Sequence, residues 1–528
     1  MTWRLAAPNL RRNNKAGEGA RRTGDRANEL AATERRSAQR VRLTHRMQAR
    51  LAGLSRPVTR FVLMPEPATL GDAGRGARLL AGTVLLDGQV FEAPGVAIWD
   101  VGRGMPGAAT LHACDWLDDL AAVGDARARA AAQDWVGLWI DRFGRGSGPG
   151  WTPTLTGRRL LRWITHARFL LRGQELRGAD PFMASLGQQT QFLTRSFSDA
   201  APGLPRIEAV CGLICGGLGL TGMDRHLAPA TAALAVACRD HIDAKGGIES
   251  RNPKELLDIL SLLTWTAQAL TAARHPLPEA LLAAIARVAP TLRALRLADG
   301  GLARFHGGGR GQDGMLDAAL AASGIKVRPT PGLHMGFGRL TGGRTTLVLD
   351  AAPPPQGAAS TAAHASTLAF ELTSGRRPLI VNCGPGGSFG PEWRRAGRAT
   401  PSHSTLGIEG YSSSRLGPPG KRAALLVDTP GRVPFEISEI ADGWRIEAAH
   451  DGWVGTHGLT HARTLDLTHD GRGLAGEDLL AVLDPAAEKR LAQVLESTDG
   501  IAFTVRLHLH PEVDASVDLG GGAISLAL

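Results

Sequence analysis

The sequence predicts a multidomain chain of 528 residues, with a helical α/α toroid first and an antiparallel β-sandwich after it. Three observations predict this. The length exceeds what one hydrophobic core serves. Across residues 115–297 apolar side chains recur at three- and four-residue spacing between Gly and Pro punctuation, the pattern of antiparallel helix pairs in a toroid or array. Near Gly332 the period drops from 3.6 to 2, and short alternating runs are divided by Gly-rich turns.

Taken in order, residues 1–60 read as a basic, disordered tail with one helical candidate, Ala27 to Leu54. Residues 61–330 form the toroid domain and residues 331–528 the sandwich. Two apolar runs around Asp87-Gly88 predict a hairpin. Helices are expected over residues 115–122, 126–143, 157–171, 181–197, 205–220, 229–242, 254–270 and 278–297. Strands are expected over residues 345–350, 368–373, 378–383, 435–440, 444–449 and 503–508.

Composition excludes several classes. Hydrophobic residues make up 43% and charged residues 21%, an ordinary globular balance. The net charge of +10 resides in the tail, which holds 15 Lys and Arg against 4 Asp and Glu and leaves the remainder at −1. A folded nucleic-acid surface is therefore not expected, and no nucleic-acid partner is predicted. The five cysteines are too few and too irregular for a disulfide framework, and Cys211 and Cys215 read as small core residues. No apolar run is long enough to span a bilayer, and the first residues lack the apolar stretch of a signal peptide. Tryptophans 135, 139, 151 and 163 could stack on sugar rings, but their helical spacing favours core packing. Gly307 to Gly311 reads as a mobile linker, since no strand precedes it and no Gly-Lys-Ser/Thr follows.

The stretch that organises the β domain begins at Thr361. It runs Ala363-His-Ala-Ser-Thr-Leu-Ala-Phe-Glu371, turns on Ser374-Gly375 and returns to Asn382. Arg398-Ala-Thr-Pro-Ser-His403 follows, with a second His ahead of another strand. His364, Asn382 and His403 can thus converge at neighbouring strand edges.

These segments, with Gly300-Gly-Leu-Ala-Arg-Phe-His306, His461-Ala-Arg-Thr-Leu465 and Gly476-Glu-Asp478, resemble the heparinase II/III family of polysaccharide lyases over residues 65–528. The resemblance implies a toroid and sandwich, and cleavage of an acidic, uronate-containing polysaccharide by β-elimination. It also implies a cell-envelope or periplasmic setting, with the cytoplasm as the alternative. The family's central motif is His-Ala-His-Ala-Asp, with the first His taking part in elimination and the second holding a structural zinc. Here Ala362 stands at the first His and Ser366 at the Asp, while His364 matches the second His. By the same resemblance a zinc would rest on His364, Asn382 and His403, although a neutral Asn replaces the usual acidic ligand. The family's catalytic Tyr is also missing. Its loop resembles Lys245-Gly-Gly-Ile-Glu-Ser-Arg-Asn-Pro253, and the chain's single Tyr, Tyr411, lies in the β domain.

β-Elimination needs a group to neutralise the uronate carboxylate, a base, and an acid for the leaving oxygen. Arg206, Glu208, Arg251, Asn252 and His306 are the candidates, because Arg and Asn can bind the carboxylate and His titrates near neutrality. Two main readings follow: a lyase with a replaced acid/base, and a catalytically altered glycan-binding protein on the same scaffold. A toroid hydrolase would instead need paired carboxylates, for which Glu208 and Glu249 are the candidates.

Overall fold

The computed structural model describes residues 36–527, apart from 38, 68, 87, 174–179, 328 and 419–423. Residues 27–35 of the helical candidate lie outside the described residues, but 39–52 form a helix, α1. This segment corrects the expectation of a solvated tail. Ala49 and Ala52 are buried, the Gln188 side-chain amide donates to the Ala49 carbonyl, and His45 meets Asp199 at 3.2 Å.

The helical domain continues through α2 (Ala73–Ala81), α3 (Trp116–Val123), α4 (Ala126–Phe143), α5 (Pro153–Thr165) and α6 (Ala167–Leu171). It is completed by α7 (Asp180–Ser196), α8 (Leu204–Gly219), α9 (Leu227–His241), α10 (Pro253–Ala272), α11 (Glu279–Leu295) and α12 (Met315–Ala322). The hairpin of β1 (Thr83–Leu86) and β2 (Gln89–Glu92) closes with Leu86 opposite Gln89. Caps explain the sharp helix starts. Asp125 accepts from the Ala128 N–H at α4, and Thr152 accepts from Leu155 at α5. The single helix expected over 157–171 breaks into α5 and α6 at His166, whose ring contacts Asp118 at 2.8 Å.

Trp139, Trp151 and Trp163 are buried, and Trp135 packs against the same core. Trp139 meets Trp163 edge to face at 5.3 Å, and the fully buried Arg159 lies 4.0 Å above the Trp139 ring. These rings serve the core. So do Cys211 and Cys215, both buried free thiols.

The β domain opens with β3 (Phe337–Gly342), β4 (Thr345–Asp350), β5 (Phe370–Ser374), β6 (Arg377–Val381) and β7 (Leu406–Ile408). Two short strands, β8 (Arg415–Leu416) and β9 (Leu426–Asp428), pair with each other. Then come β10 (Phe435–Ile440), β11 (Gly443–Trp453), β12 (Leu459–Thr468) and β13 (Leu474–Ala481). The expected strand over 503–508 divides into β14 (Phe503–Val505) and β15 (His508–Leu509). These pair with β7 and β6 respectively, so the chain changes partner between them.

An antiparallel five-stranded sheet, ordered β15-β6-β5-β4-β3, stacks on a four-stranded sheet, β10-β11-β12-β13. Leu340, Leu347, Leu349 and Phe370 on the first face Ile446, Ala448, Leu465 and Leu467 on the second. Alternation with period 2 sends these side chains to the shared layer, as a sandwich requires. The result is a helical toroid followed by an antiparallel sandwich.

Candidate functional site

The toroid carries a cleft of about 1120 Å³ lined from α2, α3, α5, α8, α10 and the segment around Gly309 to Gln312. Its geometry begins with two glycines. A Cβ on Gly157 would lie 2.5 Å from the Glu208 carbonyl oxygen, and one on Gly212 would lie 2.5 Å from Gly157 Cα. Glycine at both positions lets α5 and α8 approach closely, which places Arg158 beside Glu208. Arg158 Nε is 3.6 Å from Glu208 Oε1, and the other end of its guanidinium pairs with Asp115.

One helical turn on, Arg162 bonds Asp118 at 2.8 Å and Asp115 at 3.0 Å. Asp118 also meets His166 at 2.8 Å and accepts from the Thr69 hydroxyl at 2.6 Å. Arg162, Asp118, His166 and Thr69 therefore form a fixed network beside Arg158 and Glu208, and all of these but His166 line the same cleft. Burial pushes the Glu208 carboxyl up to about 7 against the opposing pull of Arg158. Lys254 pairs with Asp258 on the α10 wall, and Arg310 pairs with Asp299 at 3.3 Å. Arg78 also lines the cleft and forms no ion pair among the described residues.

Of the five catalytic candidates, only Glu208 lines the cleft. Arg206 turns back on its own helix start, donating to the carbonyls of Ser198 and Ala200. Asn252 is the N-cap of α10, its Oδ1 accepting from the Lys254 and Glu255 N–H groups at 3.0 and 3.2 Å. Arg251 is 8% exposed and spans the domains. It donates to the carbonyls of Met335, Gly336, Ala352 and Pro353 and pairs with Asp350 at 2.5 Å. Its five donors leave no fork for a uronate. Glu249, the partner proposed for Glu208 in a hydrolase, is exposed and does not line the cleft.

His306 is 1% exposed, which corrects its reading as a base on a mobile glycine stretch. Its Nδ1 accepts the His364 N–H at 3.2 Å, and its Nε2 is 3.4 Å from Asp350, too poorly aligned for a hydrogen bond. Burial lowers its pKa despite the opposing charge of Asp350. The neighbouring Gly307 donates to His364 Nε2 at 2.9 Å and abuts Ala362, so this turn is packed into the domain interface. Arg304 joins the same seam through Glu371 at 3.3 Å. Tyr411 lies on the β domain, half exposed, edge-on to His457.

The three zinc candidates come together only in part. The His364 and His403 rings are buried with centroids 4.9 Å apart, and His364 Nδ1 and both His403 nitrogens have no hydrogen-bond partner. Asn382 is committed elsewhere: its Oδ1 accepts from Ser404 N–H at 3.0 Å and its amide reaches the Arg304 carbonyl at 3.5 Å. Among the described residues no three His, Cys, Asp or Glu side chains converge to hold a metal. Two imidazoles without a third anionic or imidazole donor do not fit a structural zinc. Burial pushes His403 down to about 3, so both rings are neutral core groups.

Comparison with known proteins bears on this geometry. Residues 326–528 match the family model "Heparinase II/III-like, C-terminal". FtsZ-localized protein C of Caulobacter vibrioides is 31% identical over 479 residues, covering 87% of this chain and 79% of that protein. The chain belongs to the heparinase II/III-like family. A crystal structure of heparinase III superposes with a TM-score of 0.57 at 14% identity, over 82% of this chain and 74% of that one. A second heparinase III structure gives 0.52 at 13%, over 73% and 67%. At such identity the likeness is one of fold, a polysaccharide-lyase-like scaffold. Among the described residues no helix is long and apolar enough to cross a membrane.

Sequence reasoning missed Arg158, Arg162, Asp115, Asp118 and His166. The available signal was Arg158 and Arg162, four apart in the helix Pro153-Thr-Leu-Thr-Gly-Arg-Arg-Leu-Leu-Arg-Trp163, a spacing that sets both on one face.

Proposed function

We propose that this family member recognises an acidic glycan in its toroid cleft without cleaving it. One observation carries the reading. Arg251, Asn252 and His306, the groups that would bind the carboxylate and move the proton, are occupied in holding the fold. The cleft meanwhile offers a cation at Arg78, a second at Arg158 that is shared with Asp115 and Glu208, and hydrogen-bonding side chains at Ser261 and Gln312. Arg78 is the cation best placed for a uronate carboxylate, because no ion pair among the described residues occupies it. The buried histidines of the β domain act in this reading as a metal-free core.

The test pairs two measurements on heparan sulfate, hyaluronan and alginate. Ultraviolet absorbance follows the unsaturated uronate that elimination releases, and calorimetry follows binding. Binding without an absorbance rise, weakened roughly tenfold in Arg78→Gln, is the expected result. An absorbance rise lost in Glu208→Gln would instead make the protein a lyase with Glu208 as base, the role its raised pKa suits.

A second reading rests on the Caulobacter relative, which is named for where it localises and not for a reaction. In that reading the scaffold is a protein-interaction module that associates with FtsZ. Co-purification with FtsZ, unaffected by Arg78→Gln and with no glycan binding, would favour it over the first.

A further inference from the structure

A second cavity, about 500 Å³, lies at the seam between the helical domain and β3. It draws on different residues from the cleft. Arg293 comes from the last turn of α11 and Arg296 from its C-cap, Asp317 and Leu320 from α12, Lys326 from the segment between α12 and β3, and Arg339 from β3. Four cations thus face one carboxylate among the described residues, a formal +3.

The partners of each cation sharpen this count. Arg339 Nη1 donates to the carbonyls of Ala294 and Arg296 at 2.9 and 2.5 Å, at the open end of α11. Arg293 donates to the carbonyls of Ile325 and Val327. Carbonyls orient a guanidinium but do not neutralise it. Arg296 pairs with Asp317 at 3.0 Å, yet its Nε is buried with no hydrogen-bond partner. Lys326 is exposed and forms no ion pair among the described residues. Burial, with Arg296 nearby, holds Arg339 down to about 10, the response of a cation short of anions.

Capping a helix C-terminus needs one cation, and Arg339 supplies it. Arg293 holds the carbonyls of the segment after α12 and Arg296 meets Asp317, which leaves the Arg296 Nε and the Lys326 ammonium without an anion among the described residues. The other walls are apolar, from Leu297, Leu320 and Ile325. The volume falls in the ordinary range for small-molecule sites.

We propose that this cavity binds a small organic phosphate, its dianionic group among Arg296, Lys326 and Arg339 and its body against Leu320 and Ile325. A phosphate monoester offsets more of the +3 than a single carboxylate does, and its oxygens match the guanidinium fork. Because Arg296 is the C-cap of α11 and Arg339 belongs to β3, the bound ligand braces the two domains.

Calorimetric titration of the full chain with ribose 5-phosphate, at low salt, tests this. Saturable binding is expected, with no binding of ribose and weaker binding of inorganic phosphate. The double variant Arg296→Gln/Lys326→Gln, both positions away from the core, should bind at least roughly tenfold more weakly. Its circular dichroism and melting curve serve to separate lost binding from lost folding, and single variants replace it if it unfolds. Arg158→Gln, in the cleft, should leave the affinity unchanged. No saturable binding, equal affinity in the double variant, or loss in Arg158→Gln would each overturn the proposal. Inorganic phosphate binding as tightly as ribose 5-phosphate would overturn the place given to the organic body.

Discussion

Replacing Arg251 with Gln separates the two roles this residue could have. In the structure its guanidinium spans the domains with four carbonyl bonds of 2.8 to 3.1 Å and a 2.5 Å contact to Asp350. Asp350 is fully buried and would be left with Ser366 Oγ at 2.7 Å and the misaligned His306. Breaking a buried ion pair from one side costs about 3–5 kcal/mol. Loss of the contact over the Phe337 ring at 4.7 Å adds to this, so a loss of about 4 kcal/mol or more is expected. That is a large share of the roughly 5–15 kcal/mol that a domain possesses.

The assay is urea unfolding followed by tryptophan fluorescence, with Asp350→Asn and the double variant completing a cycle. The double variant should lose less than the two singles together, since it removes the stranded charge. The pH dependence has a definite sign. Burial alone would raise the Asp350 carboxyl, but the Arg251 guanidinium, helped by the Ser366 hydroxyl, holds it well below the usual range. The stability linked to its ionised form is therefore present above the unfolded carboxylate pKa of about 3.9 and is lost as pH falls through the lower folded value. In Arg251→Gln burial is left to raise the Asp350 carboxyl, so the gap from wild type should stay constant above that raised value and close as pH falls from it towards the lower wild-type value. A loss below about 1 kcal/mol accompanied by lost glycan affinity would refute the argument and return Arg251 to ligand binding.

Three further predictions are independent of that one. Glu208 has a raised folded pKa of about 7, so it favours folding below its unfolded value and loses that contribution as pH rises through 7. Glu208→Gln should thus be the more stable chain at about pH 8, by up to roughly 3 kcal/mol, with the gap gone below about pH 4.5; parallel melting profiles would mean Glu208 is ionised throughout. Asn252→Ala should cost about 1 kcal/mol through the lost α10 cap and leave glycan affinity unchanged, and an affinity loss at unchanged stability would restore it to the site. Chelation should leave the melting midpoint in place and metal analysis should find no stoichiometric zinc, whereas a fall in midpoint with EDTA would show that His364 and His403 recruit a metal donor after all.

Much of the architecture was legible because local signals agreed with packing. The sequence pattern places α4 at Ala126–Phe143, β4 at Thr345–Asp350 and β10 at Phe435–Ile440, the bounds the structure shows. Asp125 marks the start of α4, and alternation marks the strands. The failures have long-range causes. The break at His166 accompanies a bond to Asp118, 48 residues earlier, and the division of 503–509 reflects two different partner strands. The site followed the same rule. Polar residues near the domain junction were identifiable, but the sequence does not say that residues 335–353 bring their carbonyls to Arg251. Glu208 was recognised and its neighbour Arg158 was not, since that pairing depends on Gly157 and Gly212 letting α5 and α8 close together.

The domain seam explains how this scaffold holds together with Ala at position 362 and no Tyr in the loop at 245–253. The turn at His306 and Gly307 is locked to His364 in both directions, one bond donated by Gly307 to the His364 ring and one received by the His306 ring. Arg251 and Arg304 add charged contacts to the fully buried Asp350 and Glu371. These bonds satisfy or neutralise buried polar groups, so losing them has a stability cost. Ala362, by contrast, touches Gly307 with a methyl group at the partly open edge of the seam, and the toroid loop without a Tyr is held through Arg251 and Asn252. A proton-transfer side chain at either place would have added reactivity and little to this network. The polar seam thus fixes the fold through residues that do not line the toroid cleft, so the two can vary separately.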